Sequence, residues 1–410
     1  MVEHALKLIW NRRRANGLVV VEIAATFVVA FVLVALAGRA WSNYQRPLGF
    51  VYENIWQVRI DNESLTEQPG GFPDTSREVA LMLDGLRTLP GIEAAHAIDL
   101  TPFVSGSSIN GYGRDEHSLV STLHNTLTAD ALAALGVHIV DGRSFGPEDE
   151  GQEYRAALVN RVFVERAFGG ASPIGKKINN VPLEFAERLP PEVLREVLRE
   201  VRVVGVIDDF RQHGELADET PYAILRPQPA DRGSTDLFVR IAPGTDRAVE
   251  ERIVATIGAI APGWRATVTP WEELRENAIR DDLLPLRVGA TIGAFMLAMV
   301  VLGLIGIVWQ DVVRRTQEIG LRRAAGASMR HVRAQIVLEM LFVGLFGVAI
   351  GAVIAVQIPL LAIVRSIDWA STPPALALSA ALILGLAALA AFYPAWLASR
   401  REPADALRYE

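Results

Sequence analysis

Apolar residues in this chain gather into four blocks. Residues 17–37 form the first, broken only by Glu22 and Thr26, and residues 288–309 form the second without a single charge. A third covers roughly 336–364, with Glu339 and Gln357 inside and Pro359 near its end, and a fourth covers 375–397, again uncharged. Each reaches the ~20 residues that a helix needs to cross ~30 Å of hydrocarbon. A buried helix of a soluble protein is usually shorter and keeps one polar face. The pattern predicts four transmembrane helices, at 17–38, 286–309, 334–364 and 375–398.

Between the first two blocks the pattern changes to short alternating runs. Residues 52–60 read as a strand. Residues 76–89 carry apolar positions at helical spacing (Val79, Leu81, Met82, Leu83, Leu86) and stop at Pro90-Gly91. A strand at 237–241 leads through Pro243-Gly244 to a helix at 246–260 and a further strand at 265–268. Residues 192–200 read as a solvated helix face. Strand–helix–strand units of this kind predict an α/β or α+β domain over 39–285, with room for one large domain or two intimate subdomains. The fold class is an α-helical membrane protein with a large α+β extracytoplasmic domain between its first and second spans.

Composition adds orientation and exclusions. The chain is 50% hydrophobic and 21% charged and has no cysteine, which removes disulfides, thiol catalysis and Cys-ligated metal sites. Its formal charge of −7 argues against a nucleic-acid partner. Basic residues flank the spans unevenly. Lys7 and Arg12–Arg14 precede the first. Arg314, Arg315, Arg322, Arg323, Arg330 and Arg333 lie between the second and third, and Arg400, Arg401 and Arg408 follow the fourth. The connection at 365–374 holds only Arg365, balanced by Asp368. The termini (1–16 and 399–410) and the loop at 310–333 are therefore expected in the cytoplasm, with 39–285 outside it. That outer segment has 25 Lys+Arg and 38 Asp+Glu, a net of −13, so the remainder is +6. The basic start, apolar stretch and Ala35-Leu36-Ala37 also suit a cleaved secretory signal. The apolar stretch is long for one, whose core is ~7–15 residues, and Glu22 is out of place in it, so a retained span is the expectation.

Catalytic patterns are not found. Gly170 to Lys176 has phosphate-loop spacing, yet Lys177 stands where Ser or Thr should hold magnesium, and a helical stretch precedes it where a strand belongs. The seven histidines form no HExxH, Asp208-Asp209 reads as a turn or cap, 105–108 is a flexible loop, and GxSxG is absent. Glu22 and Glu339 are intramembrane carboxylates and so functional candidates by default. A structural ion pair, Glu22 with an arginine such as Arg13, is the favoured reading. Gly289/Gly293 and Gly347/Gly351 have the small-xxx-small spacing that lets helices approach closely, although glycine is common in membrane helices anyway.

The loop at 310–333 is helical in character up to Ala325. Gly326 follows as a C-cap, and a second helix then enters the third span. Ile319, Leu321 and Ala325 suit a face docked on a cytoplasmic protein. The arginines equally suit topology signals and lipid headgroup contacts, and composition does not separate these.

Here the chain resembles a family. Arg314-Arg315, Glu318-Ile319-Gly320, Arg322, Gly326-Ala327, Glu339, Gly344, Gly347 and Gly351 look like the core permease motif of FtsX-like and MacB-like ABC transporters. Tyr393-Pro394-Ala395, Pro403, Ala406-Leu407-Arg408 and Glu410 are similar to that family's C-terminal pattern. In the outer domain, Gly142-Arg143-Ser144-Phe145 with Asp149, Pro173-Ile174-Gly175-Lys176 and Val203-Val204-Gly205-Val206 are similar to MacB-type periplasmic domains. The resemblance implies one span, a large periplasmic domain and three more spans, in an inner-membrane protein that forms a pair of permease chains (identical or different) over two ATPase subunits. Only 16 residues precede the first span, so a separate ATPase subunit is expected, with ATP and magnesium bound there and no cofactor on this chain. The ATPase-coupling residues implied are Arg314, Arg315, Glu318, Ile319, Gly320, Leu321, Arg322, Gly326 and Ala327. Mechanotransmission for export or efflux is the leading expectation, with a periplasmic adaptor as a further partner. Lipoprotein release, FtsX-like regulation of a periplasmic cell-wall hydrolase, and a non-ABC sensor or scaffold are the alternatives.

Overall fold

Strand and helix periodicities sort this chain into two units, each with its own core. The computed structural model describes residues 13–61, 74–114, 118–181, 200–228, 236–314, 328–364 and 367–399. One unit comprises Met1–Ser42 with Leu283–Glu410, the other Asn43–Asp282. In chain order the elements are α1 (Arg13–Tyr44), β1 (Ile55–Asp61), α2 (Ser76–Arg87), β2 (Ile92–Ile98), β3 (Ile109–Gly113), β4 (Val120–Thr126) and α3 (Ala129–Ala134). There follow β5 (Ile139–Gly142), β6 (Arg155–Asn160), α4 (Arg161–Phe168), β7 (Lys177–Val181), β8 (Val201–Ile207), β9 (Tyr222–Leu225) and β10 (Asp236–Ile241). The last are α5 (Ala248–Ile260), β11 (Arg265–Pro270), α6 (Trp271–Asp282), α7 (Leu284–Arg314), α8 (Met329–Leu360) and α9 (Thr372–Ser399).

The 43–282 unit is built on two sheets. The first is antiparallel in the order β11-β1-β10-β2. With α2 and α5 as its crossovers it forms a split β-α-β motif, and everything from β3 to β9 is inserted between β2 and β10. Alternation decides its two faces. Val58, Ile60, Leu237 and Val239 pack on Val79, Met82, Leu86, Ile253 and Ile257 of the two helices. Ile55, Ile98 and Phe238 turn the other way and enter a second core.

The second sheet runs β5-β8-β6-β9-β4-β3-β7, and β7 pairs again with β8, so the sheet curls back on itself. Its parallel pairs are β6 with β8 and β4 with β9. Leu158, Tyr222 and Ile224 face the core shared with the first sheet, whereas Ala157, Val159, Ala223 and Leu225 face α4 through Phe163 and Phe168.

Two glycines explain the Gly142-Arg143 signature. Gly142 has φ +76° and a Cβ there would lie 2.4 Å from the Val204 carbonyl oxygen; at Gly205 it would lie 2.4 Å from that of Arg143. Strands β5 and β8 approach this closely only because both positions lack a side chain. Arg143 then grips Asp149 with two bonds of 2.7 Å.

The Gly170–Lys176 segment is a connector. Helix α4 comes before it and β7 after, and Gly175 donates its N–H to the Val203 carbonyl at 2.8 Å, so that donor is spent on the sheet. Asp208 pairs with Arg161 at 3.0 Å, and Asp209 accepts from Asn160, the N-cap of α4, at 3.1 Å. Residues 192–199 lie outside the described residues.

Helices α1, α7, α8 and α9 are each long and apolar enough to cross a membrane. They overrun the predicted spans at both ends, with one exception. Helix α8 stops at Leu360, short of the expected 364, one residue beyond Pro359, and Ala362 takes a left-handed φ of +49°. The ring of Pro359 removes one donor from the last turn.

Candidate functional site

Helix α1 is the hub of the 1–42/283–410 unit. Ile23, Phe27 and Phe31 repeat every four residues, a spacing that aligns them on one face, and all three are fully buried. Beside them lie Val300, Leu304 and Val308 of α7 and Met340, Val348 and Ala355 of α8.

Glycines set how near those neighbours come. A Cβ on Gly289 would lie 2.7 Å from Leu33 Cδ2, and one on Gly293 2.9 Å from Leu33 Cδ1. On Gly347 it would lie 2.6 Å from Ile23 Cγ2 and 2.8 Å from Ile23 Cβ. On Gly351 it would lie 2.9 Å from both the Ala24 carbonyl oxygen and Phe27 Cβ. All four glycines named from their spacing therefore face α1. The contacts order α1 antiparallel to α7 and parallel to α8. Gly344 faces α9 instead, near Leu384 and Ala387.

Glu22 points into the same seam: its Oε2 lies 3.4 Å from where a Gly303 Cβ would be. The side chain of Arg13, its expected partner, lies outside the described residues. Glu339 accepts from Gln335 one turn earlier, at 3.1 Å. Of the coupling residues, Arg314 ends α7 and is exposed. Arg315, Glu318, Ile319, Gly320, Leu321, Arg322, Gly326 and Ala327 lie outside the described residues. Ser328 caps α8 by accepting from the His331 N–H.

The 43–282 unit holds a cluster that sequence reasoning missed, around the loop joining β8 to β9. Arg211 is buried, and its guanidinium donates to four carbonyls: Asn43 (2.7 Å) and Arg46 (3.5 Å) at the end of α1, and Glu215 (2.7 Å) and Ala217 (2.5 Å) in its own loop. Among the described residues no carboxylate forms an ion pair with it. Burial lowers its pKa, and the carbonyls at a helix C-terminus are the partners suited to a cation. Asn43 answers by donating to the Leu216 carbonyl (3.2 Å) and to Asp218 (3.1 Å), and Arg46 pairs with Glu219 at 2.7 Å.

The loop also grips α6. Glu215, nearly buried, pairs with Arg275, whose guanidinium lies 4.9 Å from the centre of the Tyr52 ring. Burial alone would lower the Arg275 pKa, but the Glu215 carboxylate outweighs it and raises it. The loop's root is an aromatic stack: Phe210 lies 4.8 Å from Tyr222 and 4.7 Å from Phe50. Gln212 accepts from the Tyr222 hydroxyl and donates to the Leu100 and Thr101 carbonyls. The faint signal in the sequence was a charged, strand-to-strand loop too long for a hairpin. Its partners are mostly backbone carbonyls, which every residue type carries.

Four apolar helices split one-plus-three around an inserted α+β unit, with the lone helix packed on its partners through glycine, define a multi-pass membrane protein of the permease type. Residues 21–256, more than half the chain, match the MacB-like periplasmic core domain, and residues 290–403 match the FtsX-like permease C-terminal domain. The chain belongs to the MacB-like and FtsX-like ABC transporter permeases. It is 23% identical to the macrolide export ATP-binding/permease protein MacB of Bdellovibrio bacteriovorus, over its whole length and 62% of that protein. It is also 23% identical to the pyoverdine export ATP-binding/permease protein PvdT of Pseudomonas entomophila, again over its whole length and 59% of that protein. The chain thus spans less than two thirds of these relatives. The periplasmic region of MacB from Actinobacillus actinomycetemcomitans aligns with 58% of the chain at 11% identity and a TM-score of 0.36.

Proposed function

We propose that this chain is the membrane subunit of an export-type ABC transporter, in which a separate ATPase subunit moves the spans and α1 passes that motion to the outer domain. The observation that carries the reading is the seating of α1. One continuous helix from Arg13 to Tyr44 packs against α7 and α8 through glycines at five positions, then runs without a break into the residues that open the 43–282 unit. Displacement of α8 has little side-chain cushion to absorb it at Gly347 and Gly351, because the close atoms there include Ile23 Cβ and the carbonyl oxygens of Val20 and Ala24. Interiors packed this tightly transmit strain.

In this reading the 310–333 loop is the handle for the ATPase, with Glu318, Gly320, Arg322 and Gly326 at its centre. The basic flanks support a cytoplasmic side for both termini and that loop and a periplasmic side for the 43–282 unit. ATP and magnesium belong to the ATPase subunit. A second permease chain completes the membrane pair, and a periplasmic adaptor is a further partner. Export is favoured because the relatives that align along the whole chain carry export in their names.

Purification of the tagged full chain from its native membranes tests this. An ABC-type ATPase should co-purify, and Glu318→Lys or Arg322→Glu should release it without lowering the amount of chain in the membrane. Recovery of the chain with no ATPase, or ATPase binding that survives both reversals, would overturn the proposal.

A further inference from the structure

We infer that the loop between β8 and β9 is a strut that fixes the spacing between the end of α1 and helix α6, with Arg211 as its positioning residue and Glu215–Arg275 as its tie. The inference rests on the reading of α1 as the helix that moves the outer domain.

Helix α6 begins at Trp271, the residue directly after β11, so it is a covalent extension of the four-stranded sheet. Its first turn is locked there: Trp271 is fully buried against Phe50, Phe103 and Phe238, and Glu272 accepts the Asn54 N–H at 2.7 Å. The end of α1 is bonded to the other sheet, through a loop whose two ends are β8 and β9. Arg211 takes the Asn43 carbonyl with one nitrogen and the Glu215 and Ala217 carbonyls with the other. The Arg211 N–H adds a bond to the Leu48 carbonyl at 2.9 Å, and Arg46–Glu219 closes the same side.

The end of α1 thus leads along the chain to β1 of the four-stranded sheet and is bonded through the loop to the seven-stranded one, and Glu215 is the point where that loop meets α6. Its carbonyl is held by Arg211 and its carboxylate by Arg275. A pull on the end of α1 reaches the seven-stranded sheet through Arg211. It reaches the four-stranded sheet along the chain through β1, and it reaches α6 directly through Glu215–Arg275.

The choice of residue fits this role. A planar fork with several fixed donors can bind carbonyls on two segments at once, which a lysine ammonium on a flexible stem does not do. Removing the fork leaves buried carbonyls without donors, and the loop then has only its weaker bonds to the end of α1.

Spin-label distances on the full chain in lipid nanodiscs test the strut. The sequence has no cysteine, so Gln45→Cys and Asp281→Cys, both at exposed positions, place the only two labels. The parent should give one narrow distance distribution. Arg211→Gln should at least double its width, and Glu215→Gln should broaden it as well. Glu215→Gln leaves the Arg211 fork in place, so it supplies the result if Arg211→Gln does not fold. Distributions as narrow as the parent's in the folded variants would overturn the strut. That outcome is separate from failure of the functional reading, which shows as no ATPase bound to the chain whatever the resting distances are.

Discussion

The glycine seam gives a prediction in which distance, not residue type, sets the cost. Replacing each glycine by alanine adds the same methyl, so the outcomes differ only through what that methyl meets. At Gly347 it meets Ile23 Cβ at 2.8 Å and the Val20 carbonyl oxygen at 3.2 Å, and at Gly351 the Ala24 carbonyl oxygen at 2.9 Å. Rotation of a side chain moves neither a Cβ nor a carbonyl. The helices must separate by roughly 0.5 Å to regain ordinary contact, which forfeits dispersion along the seam. Gly347→Ala and Gly351→Ala should each cost about 1–3 kcal/mol, the usual range for overpacking. At Gly289 the close atom is Leu33 Cδ2, the free end of a flexible side chain, with the next atom 3.9 Å away; a rotamer change relieves it, and the cost should stay below about 1 kcal/mol. At Gly306 nothing lies within 4 Å, so alanine should be neutral or stabilising by up to about 1 kcal/mol through helix propensity. Thermal unfolding of the full chain in one detergent, followed for the four single variants, reads the order directly. The costly pair should melt about 2–10 °C below the parent. If Gly347→Ala and Gly306→Ala melt together, the seam is not packed as described.

Three further outcomes concern the 43–282 unit. Asp149 is buried, and although burial alone would raise its pKa, Arg143 and the Gly146 N–H hold it below the usual aspartate range. It therefore stabilises the fold above the unfolded aspartate pKa, and this is lost as pH falls through its folded value. Asp149→Asn should cost about 2–3 kcal/mol at pH 7 and remove that acid limb from a pH series of denaturant midpoints. His124 is pushed down to about 4 by burial, with Arg155 adding to the effect; its contribution is complete above pH ~6.5 and lost down toward pH 4. His124→Leu should flatten stability across that window in the same titrations, and an unchanged slope would count against a buried neutral imidazole. Gly142→Ala meets both a positive φ and the Val204 carbonyl, so it should lower the unit's melting temperature far more than Gly151→Ala, which has a positive φ but an open surrounding.

What could be read from the sequence follows from which interactions leave a compositional trace. A helix in lipid must be apolar along ~20 residues, so the four spans stand out from the hydrophobic blocks alone, and their boundaries differ because the helices run on past the apolar blocks, save where α8 stops early beside Pro359. Strands β1, β10 and β11 and helices α2 and α5 announce themselves by period. The split motif they form stays hidden, because β2 and β10 are neighbours in the sheet but are separated in sequence by the whole second sheet. The glycine spacing pointed to close helix approach, yet it could not say that Gly289 and Gly347 both face α1, since periodicity carries no partner. The loop from Arg211 to Glu219 shows the limit most clearly. Its Asp, Glu and Arg residues look like a solvated turn, and its function as a joint rests on an arginine binding the carbonyls of Asn43, Glu215 and Ala217. A carbonyl is common to every residue, so no pattern of side chains encodes it. For a chain read as transmitting motion this is expected: the residues that carry force from one segment to another need rigid, multiply bonded contacts, and backbone acceptors supply those without leaving a motif.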